Sequence, residues 1–200
     1  MLKTRRKTVR VGPEDNGRRM TLDEFDDAIV KEGYIYELGK GVIEVSNVPG
    51  LRHGRQVAEI RKQVVLYDAA NPGVIDYVAS GSDAKLMIGP SESERHPDLL
   101  IYLSAPPETD VWSLWVPEIV IEVVSPQSAK RDYEVKADEY RLLGVEEYWS
   151  IDAAKNQMTV SIRWRGQWKR KNVKPPQKQA THLLPGFALD LKKVLSSAKD

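Results

Sequence analysis

The sequence predicts an α/β (α+β) fold, with a mixed central β-sheet, helices packed against it and a β-hairpin near the C-terminus. Segments with helical periodicity alternate with groups of strand-like segments along the 200 residues, which is typical of a sheet covered by helices. The apolar residues of segment 117–124 are all β-branched, as expected of a strand buried on both faces. Two more strand-like segments, 158–164 and 168–173, flank R-G-Q and predict the hairpin.

The N-terminal part predicts an arm followed by a short helix. Residues 1–20 are basic, rich in Gly, Pro and Asn, and without periodicity, so we expect a flexible arm before one domain over residues 21–200. Thr21 and Glu24 form a capping-box pattern, which predicts a helix that ends near Gly33.

The next elements alternate between strands and a long helix. Y-I-Y-E-L and V-I-E-V-S, separated by G-K-G, predict two strands joined by a tight turn. Apolar residues at helical spacing predict a helix over residues 51–70, which Asn71-Pro72-Gly73 ends. Strands are then expected over residues 74–79, 84–88 and 99–103.

The C-terminal half continues the alternation. A helix over residues 130–143, closed by Gly144, follows the strand at 117–124, and a strand over 147–151 comes next. After the hairpin we expect a short extended segment near Leu184 and a last helix over residues 190–197.

Composition excludes several classes of protein. The absence of cysteine excludes disulfides, thiolate-bound metals and a cysteine nucleophile. No apolar run approaches the roughly 18 residues of a membrane span, and the basic residues 1–10 lack the apolar stretch of a secretory signal. We therefore expect a cytoplasmic protein without a membrane partner.

The net charge of +1 hides an uneven distribution. Residues 1–20 contain seven Lys/Arg and two acidic residues, and residues 163–179 contain seven Lys/Arg and no acidic residue. The intervening residues 21–162 contain thirteen basic and twenty-five acidic residues. An acidic body with two basic segments is compatible with binding to an anionic polymer.

Several familiar catalytic motifs are missing. The sequence contains no G-x-x-x-x-G-K-[ST], G-x-G-x-x-G, G-x-S-x-G or H-E-x-x-H. Its three histidines have no spacing that suggests a metal cage. A nucleotide cofactor, an α/β-hydrolase site and a zinc hydrolase site are therefore not expected.

Two carboxylates occupy unusual positions in predicted strands. Asp98 opens the apolar run L-L-I-Y-L, and Glu122 interrupts I-V-I-E-V-V. A carboxylate in a buried strand costs several kcal/mol unless a cation compensates it. Together the two residues predict an oxygen-ligand site for Mg²⁺ or Mn²⁺. Alternatively, Asp98 caps a turn and Glu122 lies on a solvent-facing side of the sheet.

The following helix carries polar residues at a spacing of four. Asp132, Lys136 and Tyr140 share one helix face. If this helix packs back along the preceding strand, Lys136 lies near Glu122, where it can orient water and stabilise charge on a phosphate. The alternative is that Asp132 and Lys136 form an ordinary surface ion pair.

The sequence resembles the Uma-two family of endonucleases, which have the restriction-endonuclease-like fold of the PD-(D/E)XK type. The resemblance rests on P-D-L-L-I-Y, E-V-V-S-P and R-D-Y-E-V-K-A-D-E-Y-R-L-L-G-V-E-E-Y-W-S-I-D, and it covers about residues 20–196. It also includes Y-E-L-G-K-G-V-I-E-V-S and L-P-G-F-A-L-D-L.

The resemblance implies roles for particular residues. Asp98 matches the aspartate of the motif and Glu122 its second acidic residue, so that both would bind the metal together with the carbonyl of Val123. The usual lysine position holds Val124, and Lys136 on the next helix is similar to the migrated lysine of relatives.

Two further assignments follow from the same resemblance. His53 matches the family histidine, or alternatively binds main chain at the start of its helix. Glu44 or Glu37 matches an additional acidic residue, and the sequence does not decide between the two.

The implied function is metal-dependent hydrolysis of DNA phosphodiester bonds, with a homodimer as the expected assembly for cutting both strands. Because Val124 replaces the usual lysine, a catalytically inactive module that binds nucleic acid or a protein is the alternative.

Basic residues of the hairpin, interleaved with Trp164 and Trp168, are the predicted nucleic-acid contacts. These residues are Arg163, Arg165, Lys169, Arg170 and Lys171. The alternative is a solvated edge hairpin whose charges prevent aggregation.

Overall fold

The structure is a computed structural model, and it comprises two compact units. It describes residues 9–109, 111–125 and 128–198, without the side chain of Trp112. Within these residues, unit 1 contains 9–48 and 87–95, and unit 2 contains 49–86 and 96–198. The single domain over residues 21–200 stays a prediction.

The elements are numbered in chain order. The helices are α1 Leu22–Asp26, α2 Leu51–Ala70, α3 Ala137–Leu143 and α4 Leu191–Ser196, with a π-helical segment, Arg131–Lys136, directly before α3. The strands are β1 Arg10–Val11, β2 Ile29–Val30, β3 Tyr34–Gly39, β4 Val42–Asn47, β5 Tyr77–Ala79, β6 Leu86–Ile88, β7 Ser93–Arg95, β8 Leu99–Tyr102, β9 Ile119–Val123, β10 Glu147–Asp152, β11 Gln157–Trp164, β12 Gln167–Val173, β13 Gln179–Ala180 and β14 Ala188–Leu189.

Unit 1 is built on a sheet of strand order β4-β3-β7-β6. The predicted tight turn joins β3 to β4 through Lys40 and Gly41, whose φ angles of 52° and 72° suit a two-residue hairpin turn. The predicted capping box is also present, because Thr21 and Glu24 exchange hydrogen bonds at the start of α1. This helix ends at Asp26, earlier than predicted, since β2 then pairs with β1.

The structure differs from the expected flexible arm at residues 9–20. Val11 and Met20 are buried in the core of unit 1, and β1 pairs with β2. Apolar residues scattered among charges have no helical or strand period, so a sequence pattern does not detect this packing. The part of the predicted arm at residues 1–8 lies outside the described residues.

Unit 2 is built on a mixed sheet of strand order β12-β11-β10-β9-β8-β5. β9 and β10 run parallel, whereas their outer neighbours pair antiparallel. Helix α2 has the predicted bounds and packs Ile60 and Val64 against one face of this sheet. The hairpin β11–β12 is present as predicted.

Strand β9 lies at the centre of unit 2 and is buried along its whole length. Ile119, Ile121 and Val123 contribute to the core that contains α2. Because side chains alternate along a strand, Val120 and Glu122 point to the opposite face. There the helical segment and α3 cover Glu122, so it does not lie on the solvent-facing side that the alternative interpretation required.

In the part of the chain that the structure describes, none of the helices combines the length and apolar character that a membrane crossing requires.

Candidate active site

Asp98 lies where the ladder between β8 and β9 ends. Leu99 pairs with Ile121 in antiparallel register, so the continued register places Asp98 opposite Glu122 on the same face. Oδ2 of Asp98 accepts the main-chain N–H of Val123 at 2.7 Å. The N–H and C=O of one strand residue point to the same neighbouring strand, and the Val123 carbonyl therefore points toward the side of Asp98.

His53, near the start of α2, contacts the same carboxylate. Its Nε2 lies 3.2 Å from Oδ2 of Asp98, and both side chains keep slightly less than a fifth of their surface exposed. Burial of the imidazole lowers its pKa, but the hydrogen bond and the negative charge of Asp98 outweigh it, so the pKa of His53 is raised. His53 therefore orients Asp98 and carries more positive charge near neutral pH than an isolated histidine.

Glu122 is held by two donors from the helix that covers its face. Oε1 of Glu122 accepts hydrogen bonds from Nζ of Lys136 and from the hydroxyl of Tyr140, each at 2.8 Å. Glu122 is 5% exposed and Lys136 is 3% exposed. A buried carboxylate is tolerated when charge and hydrogen bonds compensate it, and this pair meets that condition.

Asp132 extends this cluster along the helix. Its Oδ1 lies 3.9 Å from Nζ of Lys136, and its Oδ2 accepts the hydroxyl of Ser128 at 2.5 Å. Both Asp132 and Lys136 are buried, so they are not the ordinary surface pair of the alternative interpretation. Burial, followed by the charges of Glu122 and Asp132, raises the pKa of the Tyr148 hydroxyl well above its usual value.

The residues that predict a metal site supply oxygen donors only. Within the described residues, no group of three or more His, Asp or Glu side chains is arranged to hold a metal ion. Asp98 and Glu122 with the Val123 carbonyl are a smaller set, of the kind that binds Mg²⁺ when water and phosphate oxygens complete the shell. The chemistry of these donors therefore fits Mg²⁺ or Mn²⁺.

Glu44 and Glu37 both lie in unit 1, where they bind one arginine. Nη1 of Arg95 lies 2.7 Å from Oε2 of Glu44 and 3.4 Å from Oε2 of Glu37. Arg95 is completely buried, and Gly39 leaves room for it, because a side chain at that position would collide with Arg95 and Glu44. The catalytic contribution of either glutamate stays a prediction.

The basic residues of the hairpin separate into two groups. Arg163 donates to the carbonyl of Arg141, and Arg170 donates to the carbonyl of Tyr133 at 3.4 Å. These two arginines therefore bind the main chain of the helical region that carries Lys136.

The second group consists of Arg165, Lys169 and Lys171, which are exposed. Lys169 lies 4.3 Å and Arg165 lies 5.8 Å from the ring centre of Trp164, which is 53% exposed. Trp164 and these three residues are called the cationic hairpin surface below. Their contact with nucleic acid stays a prediction.

The two hairpin tryptophans do not pair with each other. Trp164 is opposite Gln167, and Trp168 is opposite Arg163. The indole N–H of Trp168 donates to the carbonyl of Ala137 at 2.7 Å. No spacing rule links residue 168 to residue 137, so the sequence does not predict this contact, whereas the helix face shared by Lys136 and Tyr140 is visible in the sequence.

A mixed sheet with flanking helices, an Asp directly before one strand, a Glu within the next and a lysine on the covering helix define the class of restriction-endonuclease-like folds. The chain belongs to the Uma2 family, because the family model described as "Putative restriction endonuclease" matches residues 22–192. The fold is similar to the crystal structure of "a putative nuclease belonging to DUF820" from Anabaena variabilis, with a TM-score of 0.72 and 19% identity over 90% of this chain and 99% of that chain. A search of the curated proteins found no match.

Proposed function

We propose that this protein is a Mg²⁺- or Mn²⁺-dependent DNA endonuclease that hydrolyses phosphodiester bonds. The observation that carries the proposal is the buried pair of Glu122 and Lys136, opposite Asp98 at the end of the β8–β9 ladder. Membership of a nuclease family supports a nucleic-acid substrate.

Each residue has a task that follows from its contacts. Asp98, Glu122 and the carbonyl of Val123 would hold the cation, and His53 fixes the orientation of Asp98. A cation held there would supply Lewis acidity toward phosphate and water. Lys136 orients the water that attacks phosphorus and stabilises the negative charge on the phosphate oxygens.

The first prediction is loss of plasmid nicking in a conservative variant. Asp98→Asn keeps the size of the side chain but removes its charge, so nicking of supercoiled DNA with Mg²⁺ or Mn²⁺ falls by about 10²-fold or more, as after loss of one stabilising group in a catalytic site. The measurement is the initial rate of conversion from supercoiled to open-circular plasmid.

A matched control uses Asp83→Asn, which changes an exposed aspartate of unit 2. This variant retains the wild-type rate. If wild type and Asp98→Asn nick equally fast, the activity comes from a contaminant and the proposal is wrong.

A second candidate function is a catalytically inactive module of the same fold that binds nucleic acid or a protein. It is favoured by Val124 at the usual lysine position and by Lys136, which Glu122 and Asp132 already neutralise. Wild-type protein that binds DNA in the presence of Mn²⁺ but never nicks it would support this candidate over the endonuclease.

The second prediction concerns the cationic hairpin surface. We propose that Arg165, Lys169 and Lys171 contact phosphates, while Trp164 stacks on an exposed base. The logarithm of the DNA-binding constant falls linearly with the logarithm of the salt concentration. Replacing the three cations with Gln makes this fall less steep, by about 0.9 in slope for each lost phosphate contact. Fluorescence anisotropy with a labelled DNA oligonucleotide between low and moderate salt measures this slope.

The control variant replaces Arg61, Lys62 and Lys192, which are exposed cations on α2 and α4, with Gln. It removes the same net charge from other elements, so its salt slope stays close to wild type. Equal slopes for both triple variants would mean that the hairpin has no special role in binding.

The third prediction concerns assembly. We propose a homodimer, because one active site per chain cuts one strand and a two-fold pair of sites cuts both. Sedimentation equilibrium in the micromolar range is expected to give twice the chain mass. A monomer that nonetheless makes double-strand breaks in a single encounter would refute this assembly.

A further inference from the structure

The helical region that carries Lys136 is held from the sheet by donors to its main-chain carbonyls. The hydroxyl of Tyr148 donates to the carbonyl of Asp132 at 3.0 Å. Strand β12 provides two further donors, from Arg170 to Tyr133 and from Trp168 to Ala137. Among these three donors to carbonyls of residues 131–137, Trp168 makes the shortest contact, at 2.7 Å, and its acceptor residue directly follows Lys136.

Two of these acceptors, Asp132 and Tyr133, lie within an unusual turn, and the third, Ala137, directly follows it. Residues 131–136 are π-helical, with α-helix continuing from Ala137. A π-helical turn is rare, and it appears mostly as a single turn inside an α-helix, frequently at a functional site. Tyr148 and Arg170 donate to carbonyls within this turn and therefore help to hold it.

The widened turn determines where Lys136 lies. A π-helical turn contains about one residue more than an α-helical turn, so its conversion to α-helix would rotate Lys136 and Tyr140 together around the helix axis relative to the residues before the turn. In the structure both side chains reach the same oxygen of Glu122. Contacts that fix this turn therefore fix the position of the lysine ammonium.

We propose that Trp168 is a positioning residue, whose indole N–H holds the carbonyl of Ala137 and thereby keeps Lys136 at Glu122. Its part in catalysis rests on the endonuclease function proposed above, whereas its effect on the position of Lys136 does not. Trp168 itself contacts neither Lys136 nor Glu122 in the hydrogen bonds that carry this proposal.

The register of the hairpin separates this role from binding of DNA. Trp168 and Arg170 pair with Arg163 and Ser161 and share the sheet face that the helix covers. Lys169 alternates with them and therefore points to the other face. Loss of the Trp168 donor is accordingly expected to change turnover and not affinity for DNA.

The test compares Trp168→Phe with wild type in two measurements. Phenylalanine keeps an aromatic ring but lacks the N–H donor. NMR of protein with ¹⁵N-labelled lysine follows the Lys136 ammonium, assigned with Lys136→Arg, in metal-free protein. Its proton exchange is expected to be about tenfold faster in Trp168→Phe, and kcat for nicking falls by about the same factor with KM within about twofold, as for loss of one hydrogen bond.

Trp115→Phe is the matched control, because this indole also donates to a main-chain carbonyl, that of Thr109 at 3.2 Å, in a segment without Lys136. It leaves exchange and kcat unchanged. Should Trp168→Phe fail to fold, Arg170→Gln removes a neighbouring donor, and it must also accelerate exchange at Lys136.

Each outcome decides something. Unchanged exchange in Trp168→Phe, or equal acceleration in Trp115→Phe, overturns the positioning role. Faster exchange at Lys136 in a protein that never nicks DNA supports the positioning role and refutes the endonuclease.

Discussion

Glu122→Ala is expected to lower the free energy of unfolding by about 3–5 kcal/mol and to abolish DNA cleavage. The substitution leaves the ammonium of Lys136, which is 3% exposed, without its 2.8 Å partner. Breaking a buried ion pair from one side costs this much because the remaining charge stays desolvated. Urea denaturation followed by far-UV circular dichroism measures the loss, and the plasmid assay measures cleavage.

A triple variant serves as the control for this prediction. Because buried Asp132 also lies 3.9 Å from Lys136, Glu122→Leu and Lys136→Met are combined with Asp132→Asn, so that no charge of the cluster remains. Replacing a buried ion cluster by uncharged groups is often neutral or stabilising, and the triple variant is therefore more stable than Glu122→Ala, although it is equally inactive. If Glu122→Ala loses less than about 1 kcal/mol, the value typical of exposed pairs, the pair is solvated and its assignment as a buried site is wrong.

Arg95→Met is expected to produce a loss of similar size, about 3–5 kcal/mol, in unit 1. Arg95 is completely buried and binds Glu44 and Glu37. Methionine fills much of the same volume, so the substitution leaves no large cavity. The lower free energy of unfolding therefore comes from the two carboxylates, which have lost the cation that they bind. Thermal and urea unfolding measure it.

The matched control is Arg18→Met, also in unit 1. Arg18 binds Asp15 at 2.6 Å, but its side chain is 41% exposed. Such a surface pair contributes at most about 1 kcal/mol, so this variant stays close to wild type. A similar loss in both variants would show that burial of Arg95 is not what makes its pair strong.

Much of the fold was predictable from local pattern. Residues 51–70 form the predicted helix because apolar residues recur at helical spacing, and the turn at Lys40 and Gly41 joins the two predicted strands. Strand β7, Ser93–Arg95, was missed, since it is short and carries charged residues that only its buried setting accommodates. Residues 9–20 were expected to be flexible because they show no helical or strand period, although the structure buries Val11 and Met20.

The candidate site was partly visible in the sequence. Asp98 and Glu122 drew attention because carboxylates interrupt apolar strand segments, and Lys136 because it shares a helix face with Tyr140. Periodicity did not reveal that residues 131–136 are π-helical, since a segment of six residues is too short for its period to be distinguished from that of an α-helix. It also did not separate Arg163, which binds the helix, from Lys169, which is exposed.

The sequence by itself determined the fold class, because this depends on residue type and local spacing, and its resemblance to known relatives determined the family. It also singled out Asp98, Glu122 and Lys136, whose part in metal-dependent hydrolysis stays a proposal. Only the tertiary structure decided which charges meet: Glu122 with Lys136 in unit 2, and Arg95 with Glu44 and Glu37 in unit 1. It also decided that Trp168 binds the helix. Such contacts join residues far apart in the chain, and their strength comes from burial, which a local pattern does not report.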